Sequence, residues 1–282
     1  MDPTLFEIIS FDSRQIYKKA PIGTAQPTPY ELNKIQHHLV GILEPDEECN
    51  AKKYSTLAFQ ALKEIFDKKK IPILTAGTGF YLKAFLYGMF PAPKINSKTK
   101  EEIKSLSIED KWDLLKEKDP NSILTLNKND IYRVDRALEM VLTGVKWSEA
   151  SQRREGGILT LFPDLKIEGF FIDWDRKELY KRIDQRCKEM LSNGLFSEIE
   201  TILNLYGKDS PLFKSLGFNF ALDYIQRRKS METFFGEFSQ SHRNYAKKQI
   251  TWFKKENLLK HLSWELSLEN IKYIEKRLIN VN

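Results

Sequence analysis

Cysteine and long apolar runs are scarce in this chain of 282 residues. Cys49 and Cys187 are its two cysteines, too few and too far apart for a disulfide framework or a cysteine-based zinc site. No run approaches the ~18 consecutive apolar residues of a membrane span. Met1-Asp2-Pro3 does not begin a basic and then apolar secretory leader. We therefore expect a protein of the reducing cytoplasm that has no membrane partner.

The chain does have enough apolar sequence for a packed core, with 41% hydrophobic and 30% charged residues. Its net charge is +6, and the segment from Arg243 to Lys260 alone carries six cations against Glu256. That segment therefore supplies +5 of the total, which leaves +1 for the rest of the chain. Such concentrated charge favours a polyanionic partner. A solvated helix face explains it equally well.

Strand and helix patterns alternate over the first ninety residues. Strands are predicted at 7–11 and 71–75, and the second is apolar on both faces, as in a buried parallel sheet. Helices are predicted at 30–34, 51–69 and 80–87, the second from apolar residues at 3- and 4-residue steps. This alternation is typical of an α/β core with a parallel sheet.

An all-helical insert is predicted to interrupt this core after the proline-rich break at 91–94. It includes a helix at 130–143, and the segment 97–157 shows no convincing strand. A strand at 167–172 and a helix from Asp175 to Asn193-Gly194 return the chain to the core, and the remainder is predicted to be helical. The predicted domains are the first part of the core at 1–92, the helical insert at 93–157, and the rest of the core with C-terminal helices at 158–282.

Asp12 is the sharpest candidate for chemistry. It follows the first predicted strand, and α/β proteins bind ligands beyond the carboxyl ends of their strands. Ser13, Arg14 and Gln15 come directly after it, so a carboxylate, a hydroxyl, a cation and an amide occupy four successive positions. The carboxylate could act as a general base or hold a metal ion. It could also simply cap a turn.

A Gly-x-Gly turn follows the second predicted strand. Gly77 and Gly79 flank Thr78, and a glycine turn before a helix lets backbone N–H groups approach an anion. Most turns of this kind merely join a strand to a helix, so the motif alone is weak evidence.

Two arginines four residues apart, Arg182 and Arg186, lie on one face of a predicted helix. Paired guanidiniums suit a diphosphate. Asp184 and Glu178 are near enough to form ordinary ion pairs with them, which is an equal alternative. The four histidines show no metal-ligand spacing with cysteines or acids, so any metal ligands stay unknown.

Six segments, taken together and in order, resemble the tRNA dimethylallyltransferase (isopentenyl-tRNA transferase) family. They are residues 9–17, 22–27, 37–39, 72–81, 130–139 and 246–252. No single motif carries the resemblance, which makes it specific. It implies a P-loop-NTPase-like parallel sheet core with a helical insert.

The resemblance also implies a reaction. The family transfers a dimethylallyl group from dimethylallyl diphosphate to N6 of adenosine 37, beside the tRNA anticodon, with Mg²⁺ and without nucleotide hydrolysis. Asp12 matches the base that takes the proton of the amine, Thr78 a threonine near the reactive centre, and Arg186 the arginine of the diphosphate channel. The residues predicted to bind the diphosphate are Gly77, Gly79, Arg182 and Arg186.

Contacts with the tRNA anticodon arm are implied for a further set of residues, and the helical insert is expected to grip the arm from the other side. The set is Asp12, Ser13, Arg14, Gln15, Thr78, Lys100, Tyr132, Arg133, Val134, Asp135, Arg136, Lys214, Ser215, Leu216, Gly217, Phe218, Asn219, Arg243 and Lys247. We expect the chain to act as a monomer.

One family motif is missing from this chain. The family opens with a phosphate-binding loop, Gly-x-x-x-x-Gly-Lys-Ser/Thr, on a strand and helix before the Asp12 strand, and none of the 13 glycines fits that spacing. Lesser departures are Ala76, where the family usually has glycine, and Phe218, where it usually has tyrosine. Losing the first strand should leave neighbouring strand edges unpaired or force them to pair anew.

Two interpretations of the missing loop follow. The sequence starts late, at an internal methionine, which the retained Asp12, Thr78 and Arg186 favour; or the chain is a degenerate relative that binds tRNA without catalysis. In either case we predict little or no activity from the chain as it stands, which a comparison with an upstream-extended chain would test. A small-molecule phosphotransferase ranks last, because it too needs a phosphate-binding loop and gives the basic segment no role.

Overall fold

The computed structural model describes residues 2–90, 93 and 95–279, so Pro91, Ala92 and Lys94 of the predicted break lie outside the described residues. The strands found there are β1 (Phe6–Phe11), β2 (His37–His38), β3 (Ile71–Ala76), β4 (Gly88–Met89), β5 (Glu155–Gly156), β6 (Gly169–Ile172) and β7 (Leu259–Leu262). The helices of the first half are α1 (Pro29–Lys34), α2 (Ala51–Asp67), α3 (Gly79–Tyr87), α4 (Ser97–Ser105), α5 (Ile108–Lys118) and α6 (Ile131–Val141). Those of the second half are α7 (Trp147–Ala150), α8 (Ile158–Leu161), α9 (Arg176–Ser192), α10 (Leu195–Tyr206), α11 (Phe218–Ile225), α12 (Met231–Phe253) and α13 (Trp264–Ile279).

The chain divides into two compact units. One spans Met1–Lys83 and Lys166–Asn282, and the other spans Ala84–Leu165, which encloses the predicted insert. Within the described part of the chain, no helix is long and apolar enough to cross a membrane.

A parallel sheet of order β2-β1-β3 forms the centre of the larger unit. β1 is buried along its whole length and pairs with β3 from Phe6↔Ile71 to Phe11↔Ala76. Apolar residues of α2 at helical spacing are buried in the same core, among them Tyr54, and Asn50 caps that helix by accepting from the Lys53 N–H. The α/β prediction is confirmed, with β1 as the middle strand of three.

Strands β6 and β7 form a separate parallel ribbon in the same unit, in the register Gly169↔Leu259 to Ile172↔Leu262. The prediction that the chain beyond α9 is entirely helical is therefore wrong at β7. That strand is only four residues long and places two exposed polar residues between two leucines, so it shows no period-2 alternation, and its partner lies ninety residues earlier. Long-range pairing of this kind decides the conformation of a segment whose local preference is weak.

The smaller unit is a helical bundle around α6. Val134, Ala137 and Leu138 are fully buried there, together with Leu115 of α5. The edge-on ring pair Phe90–Trp147 packs against this core. A two-residue antiparallel ribbon of β4 and β5 also belongs to this unit, so the prediction of helices alone omitted one short strand pair.

Candidate active site

The carboxyl ends of β1 and β3 bring the two predicted reactive segments together. The register pairs Phe11 with Ala76, so Asp12 and Gly77 leave the sheet side by side. The N–H groups of Gly77 and Thr78 both donate to the Phe11 carbonyl, at 3.1 and 2.9 Å. The turn that follows β3 is thus tied to the end of β1.

Each carboxylate oxygen of Asp12 has a different environment. Oδ1 accepts from the N–H groups of Arg14 and Gln15, at 2.8 and 3.2 Å, which closes a tight turn. Oδ2 faces the glycine turn, because a Cβ added to Gly77 would lie 2.8 Å from it. One oxygen of Asp12 therefore caps the turn and the other faces Gly77, and the reactive role of Asp12 stays a prediction.

Thr78 joins this edge through its hydroxyl. Its Oγ1 accepts from the Ser13 N–H at 3.0 Å and donates to the Ser13 hydroxyl at 3.2 Å. Two hydroxyls and a carboxylate therefore occupy neighbouring positions at the mouth of the sheet. The structure brings together Asp12, Ser13, Gly77 and Thr78 as the sequence predicted.

Tyr54 of α2 supports Asp12 from beneath, and the sequence analysis missed it. Its hydroxyl donates to the Ser10 carbonyl and accepts from the Asp12 N–H at 3.3 Å. The ring is fully buried, and that burial raises the pKa of the Tyr54 phenol, which therefore stays a neutral donor. In sequence Tyr54 was one apolar position of an amphipathic helix, and nothing there marked its hydroxyl.

Helix α12 covers the glycine turn with three further side chains. Tyr245 and Gln249 both donate to the Gly77 carbonyl, at 3.0 and 2.8 Å. The Trp252 ring lies against Gly79, where an added Cβ would come within 2.3 Å of it. Burial raises the pKa of Tyr245, and the nearby charge of Asp12 adds to that shift. Gln249 and Trp252 fall in a segment that carried the family resemblance, whereas no sequence signal pointed to Tyr245.

The predicted arginine pair lies on α9, which packs against α12. The Arg182 guanidinium sits 4.5 Å above the ring of Trp174. Arg186 is exposed, and its charge adds to burial in lowering the pKa of His242 to about 4. His242 precedes Tyr245 by three residues, which is about one helical turn. The part of α12 near Arg186 therefore lies next to the part that contacts Gly77. The diphosphate role of the pair stays a prediction.

The carboxylates predicted to neutralise that arginine pair have other partners. Asp184 receives both of its 2.6 Å contacts from Arg243 of α12, and Glu178 lies 3.5 Å from Lys181. These two acids therefore do not neutralise the positive charge of Arg182 and Arg186. Arg243, predicted to meet tRNA, is half-buried in its ion pair, whereas Lys247 is exposed.

The other predicted tRNA contacts differ in exposure. Arg14 donates to the Pro211 carbonyl at 2.9 Å, and Gln15 donates to that of Ala25 at 2.7 Å. In the stretch 214–219, Lys214 and Asn219 are exposed, Leu216 is half-buried, and the buried residues are Ser215, Gly217 and Phe218. The exposed side chains of this stretch are the ones available to a partner.

In the helical unit, Lys100, Tyr132 and Arg133 are exposed, and Tyr132 keeps 78% of its surface open. Arg133 also forms an ion pair with Asp130 at 3.3 Å, and the other three residues predicted there pack or pair within the unit. Val134 lies in the core, Asp135 pairs with Lys111 at 2.8 Å, and Arg136 pairs with Glu139.

The larger unit and the helical unit each contain an open cleft. A groove of about 470 Å³ runs beside the Asp12 edge and is lined in part by Ser10, Gln15 and Thr75. A larger cleft of about 630 Å³ lies in the helical unit near Lys146 and Arg153 and contains none of the predicted site residues. Of the predicted site residues only Gln15 lines the first cleft, so the candidate site is defined by the Asp12–Thr78 edge and not by either cleft.

Among the described residues, no three His, Cys, Asp or Glu side chains cluster as metal ligands. The two histidines of β2 have hydrogen-bond partners within the protein: His38 Nε2 lies 2.7 Å from Glu7 of β1, and His37 Nδ1 lies 2.9 Å from the Ile35 carbonyl.

A parallel sheet with a carboxylate, hydroxyls and a glycine turn at its carboxyl edge defines the class as α/β proteins that bind ligands beyond the carboxyl ends of their strands. The profile of the IPP transferase family matches residues 15–256. The chain belongs to that family.

Named relatives agree over nearly the whole chain. The tRNA dimethylallyltransferase of Leptospira interrogans is 48% identical over 276 residues, which covers 98% of this chain and 93% of the relative. That of Thermotoga maritima is 32% identical, with 96% of this chain and 88% of the relative covered.

Solved structures show the same fold. The tRNA delta(2)-isopentenylpyrophosphate transferase of Staphylococcus epidermidis aligns with a TM-score of 0.63 at 29% identity, over 96% of this chain and 91% of that one. A eukaryotic dimethylallyltransferase acting on tRNA aligns with a TM-score of 0.77 at 23% identity, over 97% of this chain and 73% of that one.

Proposed function

We propose that this protein transfers a dimethylallyl group from dimethylallyl diphosphate to the exocyclic N6 amine of adenosine 37, beside the anticodon of tRNA. The observation that carries the proposal is the Asp12 carboxylate, held next to the Thr78 turn with one oxygen facing Gly77. Family membership and the names of the relatives support the same reaction.

The adenine amine is a weak nucleophile, because its lone pair is delocalised into the ring. In the proposed step a bond forms between that nitrogen and the dimethylallyl carbon. The carbon–oxygen bond to the diphosphate breaks, and its electron pair leaves with the diphosphate. The amine proton passes to a carboxylate oxygen of Asp12, which acts as the general base. The hydrogen bonds to Oδ1 keep the carboxylate fixed during this transfer.

Negative charge accumulates on the departing diphosphate and must be stabilised. Helix α3 begins at Gly79, so its N-terminal N–H groups offer donors at this edge, and so does the Ser13 hydroxyl, which accepts from Thr78 and keeps its own proton. The Gly77 N–H is already used by the Phe11 carbonyl, which leaves Gly77 the role of allowing close approach. Arg182 and Arg186 would supply the positive charge.

Mg²⁺ is part of the proposal through the diphosphate. Magnesium is commonly held by one or two carboxylates together with the phosphates of the substrate, rather than by a protein cage. The donors at the edge, one carboxylate and the hydroxyls of Ser13 and Thr78, fit that mode. Bound there, the ion would neutralise charge on the diphosphate.

The tRNA partner is proposed to be held by its anticodon arm. The adenine must leave its stack to reach Asp12, which costs a few kcal/mol that contacts along the arm offset. Exposed Lys247 on α12 and exposed Lys100, Tyr132 and Arg133 in the helical unit offer cations and an aromatic face for such contacts.

Product mapping tests this proposal. Because little turnover is predicted for the chain as it stands, the protein is incubated in excess over tRNA, so that one slow transfer per tRNA is enough to detect; labelled dimethylallyl diphosphate, Mg²⁺ and a tRNA that has adenosine next to its anticodon are supplied. Nucleosides from the digested tRNA are then identified by mass. We expect one added dimethylallyl group on that adenosine and none on a matched tRNA with guanosine there. Label at another position, or on the guanosine tRNA, would contradict the proposed substrate.

The alternative stated from the sequence is a relative that binds tRNA without modifying it. The same experiment separates the two functions when tRNA affinity is measured beside it. Tight, salt-sensitive binding with no label in any nucleoside would support the binding protein and refute the transferase.

A further inference from the structure

A carboxylate outside the reactive edge reaches back toward it from α10. Glu198 accepts two backbone hydrogen bonds, from the N–H groups of Ile22 at 2.8 Å and Gly23 at 2.7 Å. Burial raises the pKa of Glu198, and the two N–H donors oppose that shift. A half-buried carboxylate with both oxygens committed to one loop is costly to desolvate, so its contacts need a structural or functional reason.

An aromatic ring also lies against that loop. A Cβ added to Gly23 would lie 2.4 Å and 2.8 Å from two ring carbons of Phe218, which is fully buried at the start of α11. The loop is therefore held between a carboxylate of α10 and a ring of α11. Only a residue without a side chain fits between them.

Two glutamine side chains connect this loop to the turn that carries Asp12. Gln15 Nε2 donates to the Ala25 carbonyl at 2.7 Å. Gln26 Nε2 donates to the carbonyls of Gln15 and Tyr17, at 2.8 and 2.6 Å. The Gln15 N–H in turn donates to Asp12 Oδ1. The Ala25 N–H donates to the Ile22 carbonyl at 3.0 Å, so hydrogen bonds and short stretches of backbone connect Glu198 to Asp12.

We propose that Glu198 is a positioning residue for Asp12. By holding residues 22 and 23 against Phe218, it fixes residues 25 and 26, and these fix the Asp12–Gln15 turn. Its effect on transfer rests on the proposed function, whereas its effect on the turn does not.

Hydrogen–deuterium exchange of the full chain tests the positioning directly. In Glu198→Ala we expect amide exchange in residues 12–17 to rise roughly tenfold, together with exchange in residues 21–26. Glu200→Ala removes an exposed carboxylate from the same helix and is expected to change neither segment. Faster exchange in 21–26 with wild-type exchange in 12–17 would show that the clamp is local and overturn the proposal.

Two further variants keep the test decisive if Glu198→Ala folds poorly. Glu198→Gln keeps the volume and one acceptor oxygen, so we expect an intermediate rise in exchange of residues 12–17. Gly23→Ala disturbs the loop from the Phe218 side and is expected to reproduce the Glu198→Ala pattern. Gly236→Ala, where an added Cβ meets open space, is its control. Wild-type exchange of residues 12–17 in both test variants would refute the role of Glu198.

Transfer kinetics supply the functional measurement. We expect Glu198→Gln to lower the transfer rate at saturating tRNA by roughly tenfold while tRNA affinity stays within about twofold, because the base is misplaced while the exposed contacts on α12 and in the helical unit are unchanged. Unchanged transfer with loosened residues 12–17 would contradict the link from position to chemistry. If the wild-type chain transfers no label, the proposed function fails, and the exchange data still decide whether Glu198 positions the turn.

Discussion

At the scale of single residues, the reactive edge depends on hydrogen bonds that lie behind it. Asp12 has an ordinary position after a strand, and its orientation comes from backbone donors within its own turn and from Tyr54 beneath. The sequence predicted Asp12 and Thr78 because both follow strands and match family positions. It could not predict Tyr54 or Tyr245, since a tyrosine on an apolar helix face looks the same whether or not its hydroxyl has a partner.

Tyr54→Phe tests this support. The change removes one hydroxyl from a fully buried site and leaves the Ser10 carbonyl and the Asp12 N–H without that partner. We expect the free energy of unfolding to fall by about 1–3 kcal/mol, measured by urea unfolding. Tyr30→Phe changes an exposed ring and should have little effect. Equal stability of Tyr54→Phe and the wild type would show that the hydroxyl does not hold the end of β1.

At the scale of elements, those with strong local sequence signals were predicted correctly, and those that form through long-range pairing were not predicted. Neighbouring residues alone determine three of the signals: the apolar run of β3, the helical spacing of α2 and the Asp175 cap of α9. Each of these elements lies where it was predicted. β7 and the β4–β5 ribbon form only because a distant strand is available, so no local pattern announced them. The contact of α12 with the glycine turn is of the same kind.

The central sheet also contains a buried charge cluster. Glu7 of β1 is 2% exposed and lies 2.7–3.1 Å from His38 of β2 and from Lys68 and Lys70. Burial alone would raise the pKa of Glu7, but hydrogen bonds from His38, Lys70 and Lys68 outweigh it and lower the pKa to about 2. The cluster therefore links β1 to β2 and to the segment between α2 and β3.

Because the folded-state pKa of Glu7 lies below its unfolded value, its contribution to stability is present above about pH 4.5 and is lost as the pH falls toward 2. We expect Glu7→Gln to lower the free energy of unfolding at pH 7 by on the order of 2–3 kcal/mol and by much less at pH 2. Urea unfolding at the two pH values measures this. Glu47→Gln, at an exposed ion pair, is the control. The same loss at both pH values would mean that the charge of Glu7 is not what stabilises the sheet.

At the scale of the whole molecule, the cations of the basic segment differ in their partners. Arg243 is half-buried and paired with Asp184, and exposed Lys254 lies 3.7 Å from Asp173. Lys247 and Lys248 are exposed too, and Lys247 has the Tyr180 hydroxyl as a neighbour. Net charge in the sequence predicted the segment but not these differences, because the acids that pair with it come from residues 173 and 184. The exposed lysines are the cations available to a polyanion.

Salt dependence of tRNA binding tests which cations take part. If Lys247 contacts a phosphate, Lys247→Ala should weaken tRNA binding and reduce the slope of log K against log salt by about 1. Lys18→Ala removes a cation already paired with Glu44 and should leave the slope unchanged. An unchanged slope in Lys247→Ala would exclude this face of α12 from the phosphate contacts.

The most direct measurement is single-turnover transfer of label from dimethylallyl diphosphate to tRNA by the wild type and by Asp12→Asn, with tRNA affinity measured for both. We expect the substitution to lower the transfer rate by at least about 100-fold while affinity stays nearly unchanged, because only the proton acceptor is lost. Transfer by Asp12→Asn at the wild-type rate would contradict the assignment of Asp12 as the base. Loss of transfer and affinity together would make Asp12 a structural residue.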